Sequence, residues 1–283
     1  MTANPKIKKD NRSLLSKYAA APHIVWAVLF IIAPLIFVAY YAFTDSTGAF
    51  SLANLAEFFS PTYLKIFWRS VRLALISTVI CLILGYPIAY FISRTKPKTQ
   101  RLLILLIMLP MWMNFLIRTY AIMVLIQDTG IINSFLGSIG LGKISIIGTE
   151  AAVVLGMVYD YLPYMILPIY SVMAKLDYRL VEAAGDLGCN GFGVIRKVIF
   201  PLSLSGVISG ITMVFVPSIS TFYISQKLGG TDTLLIGDVI EQRYASSDYN
   251  MTAALSFVLM LILIVGLAIV NRYTDDDDGG MMP

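Results

Sequence analysis

Glu182-Ala183-Ala184-Gly185-Asp186-Leu187-Gly188-Cys189-Asn190-Gly191-Phe192-Gly193-Val194-Ile195-Arg196-Lys197-Val198-Ile199-Phe200-Pro201 is the stretch on which the reading of this chain turns. It is a polar island between two long apolar runs, and its charges and glycines keep it out of lipid. Local chemistry gives it a shape. Asp177 is placed to cap a short helix running through Glu182 to Leu187, and Gly188 is a natural stop. Asn190 starts a second helix, in which Phe192, Ile195 and Ile199 share one face at helical spacing. Pro201 then allows the chain to turn back into the next apolar run. Helix, glycine corner, helix makes a compact protrusion.

The surroundings of the island are those of a membrane protein. Of the 283 residues, 58% are hydrophobic and 13% charged, against about 25% charged in a soluble domain. Two cysteines, Cys81 and Cys189, are too few and too far apart for a disulfide framework or a zinc site, and the lone His23 precedes the first apolar run. Both cysteines read as structural, no metal centre is expected, and the net charge of +4 bears on membrane orientation rather than on nucleic acid.

About 20 apolar residues are needed to cross a bilayer as a helix. The runs that qualify are Ile24–Phe43, Leu73–Ile92, Leu102–Ile126 with Arg118 inside it, Ala151–Met173 with Asp160, Leu202–Ser225 and Met251–Val270. Lipid offers backbone groups no partner, so these are helices, and an all-α protein of six transmembrane helices is predicted over residues 23–272. Lys and Arg gather in the tail of residues 1–22, in the connection Arg94–Arg101 and in the island (174–201). By the positive-inside rule these segments and both termini are cytoplasmic. Tyr63–Trp68 is expected along the outer interface, and residues 273–283, with Asp275–Asp278, as a disordered acidic tail. Pro110, Pro163, Pro168 and Pro217 fall within spans and invite kinks, while Gly206 and Gly210 mark close helix packing. Gly137–Ile144 imitates the opening of a phosphate-binding loop, but Ile144 stands where a Ser or Thr must hold magnesium.

The island resembles the EAA loop by which permeases of bacterial ABC importers grip their ATPase. Val198 and Phe200 stand where that family usually has Ile and Leu. Leu84–Tyr90, Leu109–Tyr120, Tyr161–Tyr164, Lys175–Asp177 and Phe222–Gly237 extend the resemblance to spermidine/putrescine permeases of the B type. It implies a type I importer-like permease in the bacterial inner membrane. Its implied companions are a homologous C-type permease, an ATPase dimer that binds ATP and Mg, and an external polyamine-binding protein. This chain itself would bind no cofactor and would not be an enzyme. Glu182, Ala183, Ala184, Asp186, Gly188 and Pro201 would form the ATPase-coupling element. Related permeases for iron or phosphonate share the loop, so another small solute is the alternative. An ion-gradient-driven transporter is a further one, but no inverted-repeat or broken-helix signature is evident.

A polyamine is best held by carboxylates and aromatic faces. Asp160, flanked by Tyr161 with Tyr164 one turn on, is a candidate cation-attracting group. An aspartate at mid-bilayer costs roughly 2.5–3.5 kcal/mol, so it must face the protein interior. Its other reading is an ion pair with Arg118 that ties two spans together. Trp112, Asn114 and Tyr223 either line the pathway or pack between helices.

Overall fold

The computed structural model describes residues 21–140, 142–230 and 233–278. Helices dominate, and among the described residues two isolated bridges, Thr44–Phe50 and Gly148–Gly229, are the β-structure. The helices in chain order are α1 (Pro22–Ala42), α2 (Ala53–Phe58), α3 (Pro61–Ser93), α4 (Pro97–Met108), α5 (Phe115–Ile126), α6 (Ile131–Ser138) and α7 (Glu150–Met173). They continue as α8 (Tyr178–Asp186), α9 (Gly191–Leu202), α10 (Leu204–Ser220), α11 (Tyr223–Leu228), α12 (Ile236–Ala245) and α13 (Tyr249–Asp278). Five stretches are long and apolar enough to cross a membrane as helices. They are α1, α3, Phe115–Ser138, α7 and Tyr249–Val270, and α9 with α10 supplies a sixth, bent by 71°.

The centre of the molecule is α7, packed between α3 and α10. Small residues let those backbones close in: a Cβ on Gly206 would stand 2.9 Å from the Pro168 carbonyl, and one on Gly210 2.7 Å from Met165 Sδ. Gly85 of α3 meets the same methionine from the other side. Met157, Met165, Ile169 and Met173 of α7 are fully buried in consequence. Close backbone approach of this kind is how helices associate where lipid removes the hydrophobic drive. Pro163 and Pro168 lie inside α7, which continues as one helix through both. The tight packing by α3 and α10 holds the helix through both. Helix α1 touches chiefly α13 and exposes most of its apolar surface.

Two spans differ in kind from the expectation of continuous helices. The third is interrupted by a 3-10 turn, Leu109–Trp112, between α4 and α5. Gln100, just inside α4, bonds Tyr170 at 3.2 Å, while Arg118 of α5 pairs with Asp160. Tyr170 and Asp160 are about 15 Å apart along α7 at 1.5 Å per residue. The two pieces therefore cover one depth in succession. The fifth span can be followed down α7 in the same way. Gly206 lies at Pro168, Gly210 at Met165, the Pro217 carbonyl at Tyr161, Ile224 and Leu228 at Gly156, and Gly229 at Gly148. Its break falls at Thr221–Phe222, between α10 and α11. Both interruptions lie beside the same turn of α7, the one that carries Asp160 and Tyr161. The broken-helix signature that seemed missing from the sequence is present. Its cause is Pro110 in one span and, in the other, a chain leaving helical geometry four residues after Pro217.

Three smaller expectations are also revised. Tyr63–Trp68 does not lie flat on an interface but forms the first turns of α3, with Tyr63 and Phe67 buried. At 33 residues α3 runs about 50 Å, longer than a bilayer's hydrocarbon core of about 30 Å, so its first turns have room to stand beyond it. The acidic block does not start as a disordered tail, because α13 continues through Asp278. Extending an established helix is far cheaper than starting one. Residues 279–283 and the basic tail up to residue 20 lie outside the described residues. Gly137 and Ser138 close α6, so the look-alike phosphate loop begins inside a helix, not after a strand.

Candidate functional site

The hairpin α8–α9 is built by local residues, each in a defined role. The Asp177 carboxylate accepts from the Arg179 amide at 3.0 Å and starts α8. Gly188 ends it at φ +83°, a left-handed conformation open to glycine but costly for any residue with a Cβ. Around that corner the Cys189 amide reaches the Ala184 carbonyl at 3.0 Å and the Gly188 amide reaches Gly185 at 2.9 Å. This double closure satisfies the last carbonyls of α8. Asn190 Oδ1 then accepts from the Gly193 amide at 2.8 Å and opens α9.

The hairpin's outer surface is not the one that spacing alone predicts. Glu182, Ala183, Asp186, Gly188 and Pro201 are exposed, whereas Ala184 is buried within the chain itself. Only Ala183 is thus free to meet a partner; Ala184 lets α8 sit down on its own support. Phe192 does not share the inner face with Ile195 and Ile199 but is 72% exposed, and Val194 takes its place inside. A π-helical turn, Ile195–Ile199, is the reason. The wider turn sets the buried residues Val194 and Ile199 five apart rather than three or four. Leu187, at the tip, is 86% exposed. Leu187 and Phe192 thus leave two large apolar side chains exposed on an otherwise polar hairpin, which the sequence reading missed. The signal available was a leucine placed directly before the glycine corner.

The second site is the mid-depth turn of α7. Asp160 is wholly buried and Arg118 is 4% exposed. The Arg118 Nε donates to Asp160 Oδ1, its Nη1 donates to the Pro110 carbonyl at 3.1 Å, and Thr119 donates to Asp160 Oδ2 at 3.0 Å. The Arg118 guanidinium thus adds a second donor to a carbonyl at the break of the third span, which also accepts from the Met113 amide at 3.2 Å, and Asp160 balances its charge. Of the two readings open for Asp160, the structure shows the ion pair, with both carboxylate oxygens engaged inside the protein. Tyr161 donates to the Pro217 carbonyl at 3.5 Å, next to the other break, and its ring lies 6.3 Å from that of Tyr164.

The remaining pathway candidates separate. Asn114 Oδ1 caps α5 by accepting from the Leu116 amide at 2.8 Å. Trp112 is 70% exposed on the outside of the 3-10 turn. Tyr223 alone of these candidates lines an open apolar groove of about 600 Å³, formed with Leu116, Ile117, Tyr120, Ala121 and Val124. The Tyr223 ring lies 6.2 Å from that of Phe115, so the second halves of both broken spans meet here. The Lys227 ammonium stands over the Tyr223 ring at 5.5 Å. Among the described residues no group of His, Cys, Asp or Glu could hold a metal.

A protruding, capped hairpin on a helical bundle with a buried mid-depth ion pair is a recognisable combination. Residues 81–275 match the family model described as the binding-protein-dependent transport system inner membrane component. The chain belongs to that family. It is 39% identical over 251 residues to the spermidine/putrescine transport system permease protein PotB of Haemophilus influenzae, covering 84% of this chain and 88% of that one. Against the PotB protein of Escherichia coli it is 36% identical over 256 residues, covering 87% and 93%. In three dimensions it is similar to a chain of a bacterial alginate ABC transporter in complex with an alginate pentasaccharide-bound periplasmic protein. That likeness has a TM-score of 0.77 at 14% identity and covers 91% of this chain and 93% of that one. The likeness to a chain of the MetNI methionine ABC transporter is weaker, with a TM-score of 0.55 at 16% identity, covering 78% of this chain and 96% of that one. The fold is that of ABC importer permeases, and this family member is a transport subunit, not an enzyme.

Proposed function

We propose that this permease passes spermidine or putrescine from an external binding protein into the cytoplasm. It does so beside a homologous C-type permease and upon an ATPase dimer that carries ATP and Mg. The observation that carries the substrate is the likeness to PotB proteins over most of the chain. The groove offers a polyamine's methylene chain an apolar wall and the aromatic rings of Tyr120 and Tyr223. Asp160 serves this function from behind, by fixing the break between α4 and α5, and leaves charge recognition to other surfaces.

Both termini and the hairpin face the cytoplasm in this reading, which the distribution of lysines and arginines among the connections supports. Closure of the ATPases pushes on α8, and the bundle reorients about the mid-depth breaks. Glu182 offers the partner an anion, and Leu187 and Phe192 offer it an apolar anchor. In the reconstituted complex, spermidine-loaded binding protein should stimulate ATP hydrolysis. Stimulation by another solute alone, iron or phosphonate for example, would replace the substrate while leaving the transporter class. Uptake by this chain alone, driven by an ion gradient, would overturn both.

A further inference from the structure

The bend between α9 and α10 is fastened to a third helix. Ser203 occupies the corner between the two, where the chain turns through 71°, and is fully buried. Its hydroxyl contacts the Phe200 carbonyl at 3.1 Å and the Tyr86 hydroxyl of α3 at 3.1 Å. The Tyr86 ring packs on Phe200 at 5.8 Å. Three residues before the bend ends the π-helical turn Ile195–Ile199, wider than the α-helical turns on either side of it. On the other side α10 is held rigidly to α7 by the close approach of Gly206 and Gly210.

A push on the hairpin thus meets the π-helical turn, then a corner, then a helix packed closely on α7. At the corner one hydrogen bond and one ring contact tie it to α3. We propose that Tyr86 and Ser203 form the joint that passes hairpin motion to α3 as well as to α10, so that both move in one step. This rests on the reading that the hairpin docks on an ATPase. Tyr86 and Ser203 are positioning residues here: neither touches nucleotide or the groove. Without the joint, the π-helical turn absorbs part of the stroke and hydrolysis proceeds with less transport.

The test uses the whole complex in proteoliposomes and reads polyamine molecules taken up per ATP hydrolysed. Tyr86→Phe and Ser203→Ala each delete one oxygen. Either variant should lower that ratio severalfold while leaving ATP hydrolysis in place. The double variant should fall no further than the singles, because both act through one bond. Ser203→Thr, which keeps a hydroxyl, should retain the parent ratio. An unchanged ratio in both single variants would overturn the joint, as would losses that multiply in the double variant. Co-purification of the ATPase with each variant separates the two readings. If it is retained while the ratio does not move, the joint alone is refuted. If the ATPase fails to bind even the parent permease, the docking reading fails as well.

Discussion

The hairpin and the mid-depth turn of α7 are polar places in an apolar molecule, and they are stabilised in opposite ways. In the hairpin the caps and the corner are closed by neighbours two to five residues away: Asp177 by Arg179, Asn190 by Gly193, Ala184 by Cys189. At mid-depth the partners lie 41 and 42 residues apart, as Asp160 meets Thr119 and Arg118. Local closure makes a part that can move as a unit and present its surface to a partner. Long-range closure makes a part that cannot come apart without unpairing a buried charge. A transport subunit needs both, one to receive a push and one to keep the spans registered while they move.

The sharpest way to break that contrast is at the buried pair. Asp160→Leu leaves the Arg118 guanidinium without its counter-charge and should cost about 3–5 kcal/mol, seen as loss of assembled permease from the membrane and a lower melting temperature in detergent. Adding Arg118→Met to Asp160→Leu should recover much of that stability, because removing both charges is far milder than stranding one. In the hairpin, Gly188→Ala should cost about 1–2 kcal/mol through its left-handed backbone. The damage should stay local: normal membrane levels, but faster proteolysis between residues 182 and 192 and weaker ATPase binding. Asn190→Ala, removing a cap, should act in the same place at about 1 kcal/mol, with hydrogen exchange rising at the start of α9 and nowhere in α7. The control is a second ion pair, Arg72 with Glu150 at 2.6 Å, with Arg69 3.7 Å from the same carboxylate, which has the chemistry of the buried pair but lies exposed at the end of α7 away from the hairpin. Glu150→Gln should change stability by less than about 1 kcal/mol, and a larger loss would mean that burial is not what separates these ion pairs.

How much of this the sequence reveals follows the same division. The caps at Asp177 and Asn190 and the corner at Gly188 were legible because they depend on residues next to one another. The membrane spans were legible because composition alone dictates helices in lipid. The exposure of Phe192 was not, since a single π-helical turn shifts the register and nothing in Ile195–Ile199 announces it. Nor were the breaks at Leu109–Trp112 and Thr221–Phe222. Four prolines lie within the predicted spans, and α7, closely packed at Gly85, Gly206 and Gly210, stays helical through two of them. The choice between two roles for Asp160 likewise needed the position of Arg118, which only the tertiary fold supplies.

The central claim, that the α8–α9 hairpin is the surface gripped by the ATPase, is tested most directly by cross-linking. A cysteine at Leu187, in the complete complex with the ATPase, should form a short-range cross-link to that subunit. The same probe at Ser246, at the opposite end of the bundle, should form none. A cross-link from Ser246 with none from Leu187 would put the engine at the wrong end of the molecule and contradict the account.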